Sequence, residues 1–291
     1  MDNKIMFTVF TPTYNRAYII NKLYKSLIEQ SLYNFEWVIV DDGSTDETEG
    51  LITKFIEEKR ISIKYYKQPN GGKHRAINKG VELAKGELFF IVDSDDYLTA
   101  DAIKTINEQY SFIRNKEEFA GISFRRGYSE SEYIGTQVTF KNIEASALDF
   151  RFKYKIKGDM AEVYKLNVLK KFPFPDIPGE KFCSEGLIWN RIALKYKILW
   201  ISKIIYIGEY LEGGLTNNSF LLRKMSPKYA TQYYSELSKM PISLQQKIRA
   251  TINYWRFAKF LDVSFVEKWC KVNPLLSTIA LPLSVIFLLK K

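Results

Sequence analysis

Three carboxylates fall within four positions of the stretch LFFIVDSDDYL (88–98): Asp93, Asp95 and Asp96. Like charges this close raise one another's pKa, so the group is costly unless a cation or hydrogen-bond donors offset it. In extended backbone Asp93 and Asp95 point the same way, because side chains alternate. Two carboxylates so placed, with further ligand positions open, suit Mg²⁺ or Mn²⁺ carrying a phosphate-bearing substrate. Asp96 is left to begin the helix expected near Thr99. A second acidic pair, Asp41–Asp42, follows EWVIV (36–40), and the loop QPNGG (68–72) precedes Lys73, His74 and Arg75. A helix start after a Gly-Gly turn suits anions. His74, the only histidine, fits that use and equally fits a polar residue at a helix start.

The elements that position these groups alternate through the first half. IMFTVF (5–10) and EWVIV read as short buried strands, and between them Ile19, Ile20, Leu23, Leu27 and Ile28 recur at helical spacing. Ser44 and Glu47 have capping-box spacing ahead of an apolar face of Leu51, Ile52, Phe55 and Ile56, and Asp46 adds charge for the first turn. ISIKYY (61–66), a helix through Glu82–Ala84 and the strand FFIV follow. Strand–helix alternation with continuous apolar strands predicts a parallel sheet covered on both faces, whose ligands bind beyond the carboxyl ends of the strands. Thr11, Asp41–Asp42 and Asp93–Asp96 are all expected just past strand ends. Beyond residue 117 the pattern loosens, with a strand at AGISFRR (120–126), a helix from Ser184 through IWNRIALKY and a strand near ILWISKIIYI. Residues 219–262 read as helices broken at Met240–Pro241.

The composition is that of a globular chain of 291 residues with a formal charge of +10. Cys183 and Cys270 match no metal or redox spacing, which fits a reducing compartment. MDNKIMFTVF lacks the regions of a signal peptide, so a cytoplasmic location is expected. The charge is uneven: residues 219–291 carry twelve Lys and Arg against Glu236, Asp262 and Glu267. The run 275–289 is apolar but shorter than the roughly 20 residues of a spanning helix, and Pro282 interrupts it. An interfacial or re-entrant segment with a basic collar, on an anionic membrane surface, is the expectation; a buried C-terminal helix is the alternative. The tail shows no stacking aromatics on a basic strand and no nucleic-acid module, which argues against nucleic acid.

FTVFTPTYNRAYIINKLYKSLIEQSLYNFEWVIVDDGSTDETEGLI, followed by NGGKHRAINKGVELAKGELFFIVDSDDYL, resembles the inverting family 2 glycosyltransferases over roughly residues 4–115. The resemblance implies an α/β fold: a single Rossmann-like nucleotide-diphospho-sugar transferase domain with a mostly parallel mixed sheet. That domain would occupy residues 1–218, with a nucleotide-sugar half (1–115) and an acceptor half (116–218), and a basic α-helical, membrane-associating tail (219–291) would follow. By the resemblance, Thr11, Pro12, Tyr14, Arg16, Asp41, Asp42, Lys73, His74, Asn78, Asp93 and Ser94 would bind the nucleotide. Asp42 would accept from a uracil imide, and Asp41 would support its turn. Asp95, with Asp93, would hold Mn²⁺ or Mg²⁺. Ile77 stands where many members carry Arg, so Lys73, His74 or Arg75 would have to replace its phosphate contact.

EKFCSEGLIWNRIALKY (180–196) resembles the family's acceptor-side helix. Register from Trp189, Asn190 and Arg191 places Glu185, rather than the usual Asp, as the base that deprotonates the acceptor hydroxyl. Asp159, Glu180 and Trp189 are candidates for acceptor binding. The implied partners are a nucleotide-diphospho-sugar donor and a glycan or polyprenyl-diphosphate-linked acceptor. Two other readings remain at this stage: a non-catalytic glycan- or nucleotide-binding homologue, and a sugar-phosphate nucleotidylyltransferase. The second expects a Gly-rich loop after the first strand, where this chain has TPTYNRA.

Overall fold

The computed structural model describes residues 6–208 and 218–289. The expected roles of Met1–Ile5, Lys290 and Lys291 lie outside those residues. The described chain divides into two units, one running to Pro173 and resuming at Lys195, the other holding Phe174–Leu194 and the C-terminal helices. The division therefore differs from the expected boundary at residue 218: the segment around Glu185 groups with the helical tail.

The first unit opens with strand β1 (Phe7–Thr13), helix α1 (Asn21–Ile28), β2 (Phe35–Asp41), α2 (Thr48–Glu57), β3 (Ser62–Lys67), α3 (Lys73–Leu83) and β4 (Leu88–Ile91). It continues through β5 (Tyr97–Leu98), α4 (Ala102–Tyr110), β6 (Phe119–Gly127), β7 (Ile143–Ala145), β8 (Met160–Lys165), the short α5 (Leu166–Leu169) and, after the chain returns, β9 (Lys197–Ile207). The sheet order is β3-β2-β1-β4-β8-β6-β9-β5, with β7 also on β9. The first four strands are parallel, as their crossover helices require. β8 runs antiparallel to both β4 and β6, and this hands the sheet over to the second half of the unit.

β1 shows how the sequence builds both layers. Phe7 and Val9 join the core that contains Trp37, Phe55 and Phe90, while Phe10, on the opposite face, stacks on Phe89 at 5.0 Å. α3 seats tightly over Phe10 because Gly80 has no side chain: a Cβ there would stand 2.2 Å from the ring. β1 continues beyond the expected Phe10 to Thr13, so Thr11 lies inside the strand, paired with Ile39. Its hydroxyl accepts from the Trp37 indole at 2.9 Å. β3 is an edge strand with outward residues exposed, so only its Ile63 and Tyr65 pack on the core.

The second unit contains α6 (Gly186–Ala193), α7 (Ser219–Met225), α8 (Pro227–Lys239), α9 (Leu244–Ala258), α10 (Phe265–Cys270) and α11 (Pro274–Leu289). Its core joins Tyr254, Trp255 and Ala258 of α9 to Val272 and Ala280. α9 and α10 begin at Ser243 and Ser264, each accepting a backbone N–H, and Ser264 with Glu267 completes a capping box. α11 runs through Pro282 without a break. Among the described residues no helix is long and apolar enough to cross a membrane.

Candidate functional site

The carboxyl ends of β1, β2 and β4 carry two acidic loops with opposite solutions to their charge. In the first, Asp41 closes β2: one carboxylate oxygen accepts from Ser44 N at 2.7 Å and the other from the Tyr65 hydroxyl at 2.7 Å. Burial and that bond to Asp41 push the Tyr65 phenol well above its usual pKa. Asp42 takes Gln68 Nε2 at 2.8 Å and Gly71 N at 2.9 Å on one oxygen. Its other oxygen takes Gly72 N at 2.7 Å and Asn70 Nδ2 at 3.2 Å. A carboxylate has about four acceptor sites, so Asp42 is filled by its own chain. Through these bonds Asp42 latches the 68–72 loop to β2. Gly43, at φ +86°, makes the latch possible, since a Cβ would stand 2.9 Å from Asn70 N.

The expected Ser44–Glu47 capping box does not form. α2 starts later, at Thr48, and Ser44 instead accepts from Asn15 N at 2.8 Å. Asp46 takes over the helix start by accepting from Thr48 N at 3.1 Å and Ala17 N at 3.1 Å. These bonds tie the TPTYNRA loop to the second strand's turn, leaving Tyr14 exposed and Arg16 half-buried, 4.0 Å from Asp95.

In the second loop the charge is met by cations. Lys73 Nζ, on the first turn of α3, donates to Asp93 at 2.5 Å. Arg126 Nη1 lies 3.6 Å from Asp93 and 3.6 Å from Asp96, with its Nε donating to Met160 O at 2.9 Å and its plane 4.0 Å from the Tyr206 ring. Tyr206 is the hinge of this group: its hydroxyl donates to Asp96 at 2.6 Å and accepts from Asp93 N at 3.0 Å. Burial raises the Asp93 pKa, but Lys73 and Arg126 outweigh it and hold the carboxyl below its usual range. Asp96 is pushed up to about 7 by burial and then by Asp93. Asp96 therefore does not begin the next helix, which starts at Ala102; its oxygen serves Tyr206 and Arg126 instead.

Asp95 stands apart. Its nearest cation is Arg16 at 4.0 Å, and burial followed by Asp93 raises its pKa. Negative charge at Asp95 is thus under-compensated, which is what a hard cation would relieve. Among the described residues no three His, Cys, Asp or Glu side chains converge as a metal cage. The donor set fits a divalent ion only if a substrate supplies further oxygens, the arrangement usual for Mg²⁺ on phosphates.

The remaining expected site residues divide by exposure. Pro12 and Ser94 are buried beside these loops, Asn78 is half-buried on α3, and Asp159 is exposed just before β8. His74 is 1% exposed, so its ring faces protein rather than the open cleft. In the second unit Glu185 is the residue preceding α6, half-buried, with its carbonyl accepting from Trp189 N at 3.1 Å. Arg191 anchors α6 through a bidentate pair with Glu236 of α8, at 2.8 and 2.6 Å. Trp189 packs edge-on to Phe174. Glu180 is buried and accepts from Lys228 N at 2.8 Å and Tyr229 N at 2.9 Å, so it caps α8 rather than facing an acceptor.

The family model for glycosyl transferase family 2 matches residues 8–161, more than half of the chain. The chain belongs to glycosyltransferase family 2. It is 25% identical over 229 residues to glycosyltransferase GlyG of Streptococcus pneumoniae, covering 74% of each chain. It is 29% identical over 210 residues to the GalNAc(5)-diNAcBac-PP-undecaprenol beta-1,3-glucosyltransferase of Campylobacter jejuni, covering 69% of this chain and 63% of that one. The poly(ribitol-phosphate) beta-N-acetylglucosaminyltransferase TarS of Staphylococcus aureus is 35% identical over 170 residues, which are 56% of this chain but 28% of TarS. The chain thus spans only part of some relatives. Residues 1–349 of TarS, solved in complex with UDP-GlcNAc, superpose with a TM-score of 0.64 at 22% identity, over 91% of this chain and 78% of that one. A mannosyltransferase from Pyrobaculum calidifontis gives 0.56 at 16% identity, over 97% and 80%. The fold is therefore the glycosyltransferase α/β fold.

Within this family 2 domain, two residues of the acidic site escape motif reading: Arg126 and Tyr206. A signal for the first was present. Consecutive arginines close the strand SFRRG, and alternation must send them to opposite faces. Arg125 goes to one face, buried 4.3 Å over Tyr133, and Arg126 reaches the acids on the other. Tyr206 had no local signal, because its partners lie 110 and 113 positions away.

Proposed function

We propose that this family 2 glycosyltransferase moves one sugar from a UDP-sugar to a hydroxyl of a glycan or polyprenyl-diphosphate-linked acceptor, with inversion, in polysaccharide synthesis at the inner face of the plasma membrane. The observation that carries the proposal is the under-compensated Asp95 beside the cation-held Asp93, at the strand ends where the fold binds ligands. The UDP-GlcNAc held by TarS and the undecaprenol-linked substrate named for the Campylobacter enzyme support this choice of donor and acceptor.

In this reading the TPTYNRA loop and the latched 68–72 loop form the walls around the nucleotide. Lys73 and Arg126 place positive charge by the diphosphate. Asp95 and Asp93 would hold the Mn²⁺ or Mg²⁺, which when bound would supply Lewis-acid neutralisation of the leaving diphosphate. Glu185 accepts the proton of the acceptor hydroxyl as its oxygen bonds the anomeric carbon and the bond to the diphosphate breaks, releasing UDP.

The test is a panel of UDP-, GDP- and TDP-sugars with Mn²⁺ and a polyprenyl-diphosphate-linked glycan, scored for product. A UDP-sugar should give transfer that Glu185→Gln lowers sharply in kcat while leaving UDP affinity unchanged. Transfer from a GDP- or TDP-sugar alone, or full activity in Glu185→Gln, would contradict the reading.

A further inference from the structure

Helix α11 is built inside out. Facing the core of the second unit are mainly small or hydroxylated residues: Ser277 and Ala280 are 0% exposed and Ser284 2%, with half-buried Leu281 beside them. Facing outward are large apolar ones: Leu275 is 77% exposed, Ile279 51% and Ile286 49%. An ordinary surface helix does the reverse, turning its apolar stripe inward and its polar face to water. The inward side is nevertheless well used. The Trp255 indole donates to Ser277 Oγ at 3.1 Å, and Ala280 packs in the cluster of Tyr254, Trp255, Ala258 and Val272. The orientation is therefore fixed by packing, and the outward stripe follows the helical spacing 275, 279, 282, 286, with exposed Pro282 continuing it.

The stripe is not isolated. Phe265 of α10 stacks on Trp255 at 5.6 Å and lies tilted against Trp269 at 5.5 Å, so α10 shares the aromatic cluster that seats α11. Phe265 and Val266 are exposed, as is Val263 just before them. Between Pro274 and Leu289 there is no charged residue, while Lys271 and Lys268 stand immediately ahead of the helix. The whole segment 219–291 carries twelve basic residues against three acids.

We infer that the α10–α11 face lies in the interface of an anionic lipid bilayer, with Leu275, Ile279 and Ile286 below the headgroups and the lysines among them. The charge selects this occupant. Strongly basic surfaces repel one another, so a second copy is disfavoured, whereas anionic headgroups attract them. A helix parallel to the membrane needs only one apolar face and no spanning length, which matches a helix of 16 residues. The inference deepens the proposed membrane association by assigning it a surface, and rests on that reading.

The test uses the full chain and vesicles without sugar nucleotide, so it is independent of the transfer chemistry. Co-sedimentation with phosphatidylglycerol–phosphatidylcholine vesicles should show binding that weakens on phosphatidylcholine alone and in high salt. Leu275→Asp/Ile279→Asp should lower the partition coefficient at least about tenfold, with circular dichroism and UDP binding unchanged. Leu275→Ser/Ile279→Ser keeps the helix uncharged and should give a smaller loss in the same direction, should the aspartates disturb folding. Absence of wild-type binding would overturn both the membrane association and this face. Wild-type binding retained in both variants would overturn this face alone. A wild-type dimer that both variants dissociate would assign the stripe to a second copy and equally overturn the inference.

Discussion

The two acidic loops of the first unit begin with the same residue type and end in different states. Asp41 and Asp42 are bound by donors from their own turn, from β3 and from the loop after β3, so the first loop is complete as folded. Asp93 and Asp96 share Lys73, Arg126 and Tyr206, while among the described residues the closest cation to Asp95 is Arg16 at 4.0 Å. A carboxylate saturated by N–H groups is a wall, and one short of positive charge is a binding site. In the proposed reading, the first pair shapes the pocket and the second loop takes part in chemistry.

Substitutions should separate the two roles. The largest effect is expected for Asp95→Ala: UDP release from the donor should slow by about 10²–10³-fold in kcat, the scale of losing one electrostatic contact to the transition state. Its melting temperature should hold or rise, because burial and Asp93 disfavour the charge at Asp95. Arg126→Leu comes next, since it strips a largely buried cation from two acids; a stability loss of about 3 kcal/mol is expected in denaturant melts, partly restored by Arg126→Lys. Asp42→Asn should cost about 1–3 kcal/mol, because an amide leaves loop N–H groups without an acceptor. There the loss should appear in stability and in donor KM, with kcat changed less.

Two tyrosines give the finest comparison. Tyr65 donates to Asp41 at 2.7 Å and Tyr206 to Asp96 at 2.6 Å, so each Phe substitution should cost about 1 kcal/mol. Only Tyr206→Phe should also raise the Mn²⁺ concentration needed for half-maximal activity. Equal effects of the two on Mn²⁺ activation would erase the distinction between the loops.

Legibility in the sequence follows the same line. The parallel β1–β4 half was readable because apolar strands and helical spacing are local signals, and the acids at its strand ends could be named from position. What those acids bind was not readable, because it depends on partners far away in the chain: Asp42 on the 68–72 loop, Asp96 on Tyr206. Helix starts failed for a related reason. The Ser44–Glu47 spacing fitted a capping box, but Ser44 is drawn to Asn15 across the cleft, and Asp46 starts the helix instead. Glu180 looked like a site acid by its neighbourhood in sequence, yet the N-terminus of α8 claims it. The orientation of α11 was equally hidden, since an apolar run shows no face until something packs against it.

The central claim is that the Asp93–Asp96 loop is incomplete until a cation and a diphosphate arrive together. Calorimetric titration of UDP into the full chain, with Mn²⁺ and with the metal chelated, tests it most directly. UDP should bind at least about tenfold more tightly with Mn²⁺, the scale of a single relieved charge, and Asp95→Ala should abolish that difference. Equal UDP affinity with and without the metal, or an unchanged Mn²⁺ effect in Asp95→Ala, would contradict it.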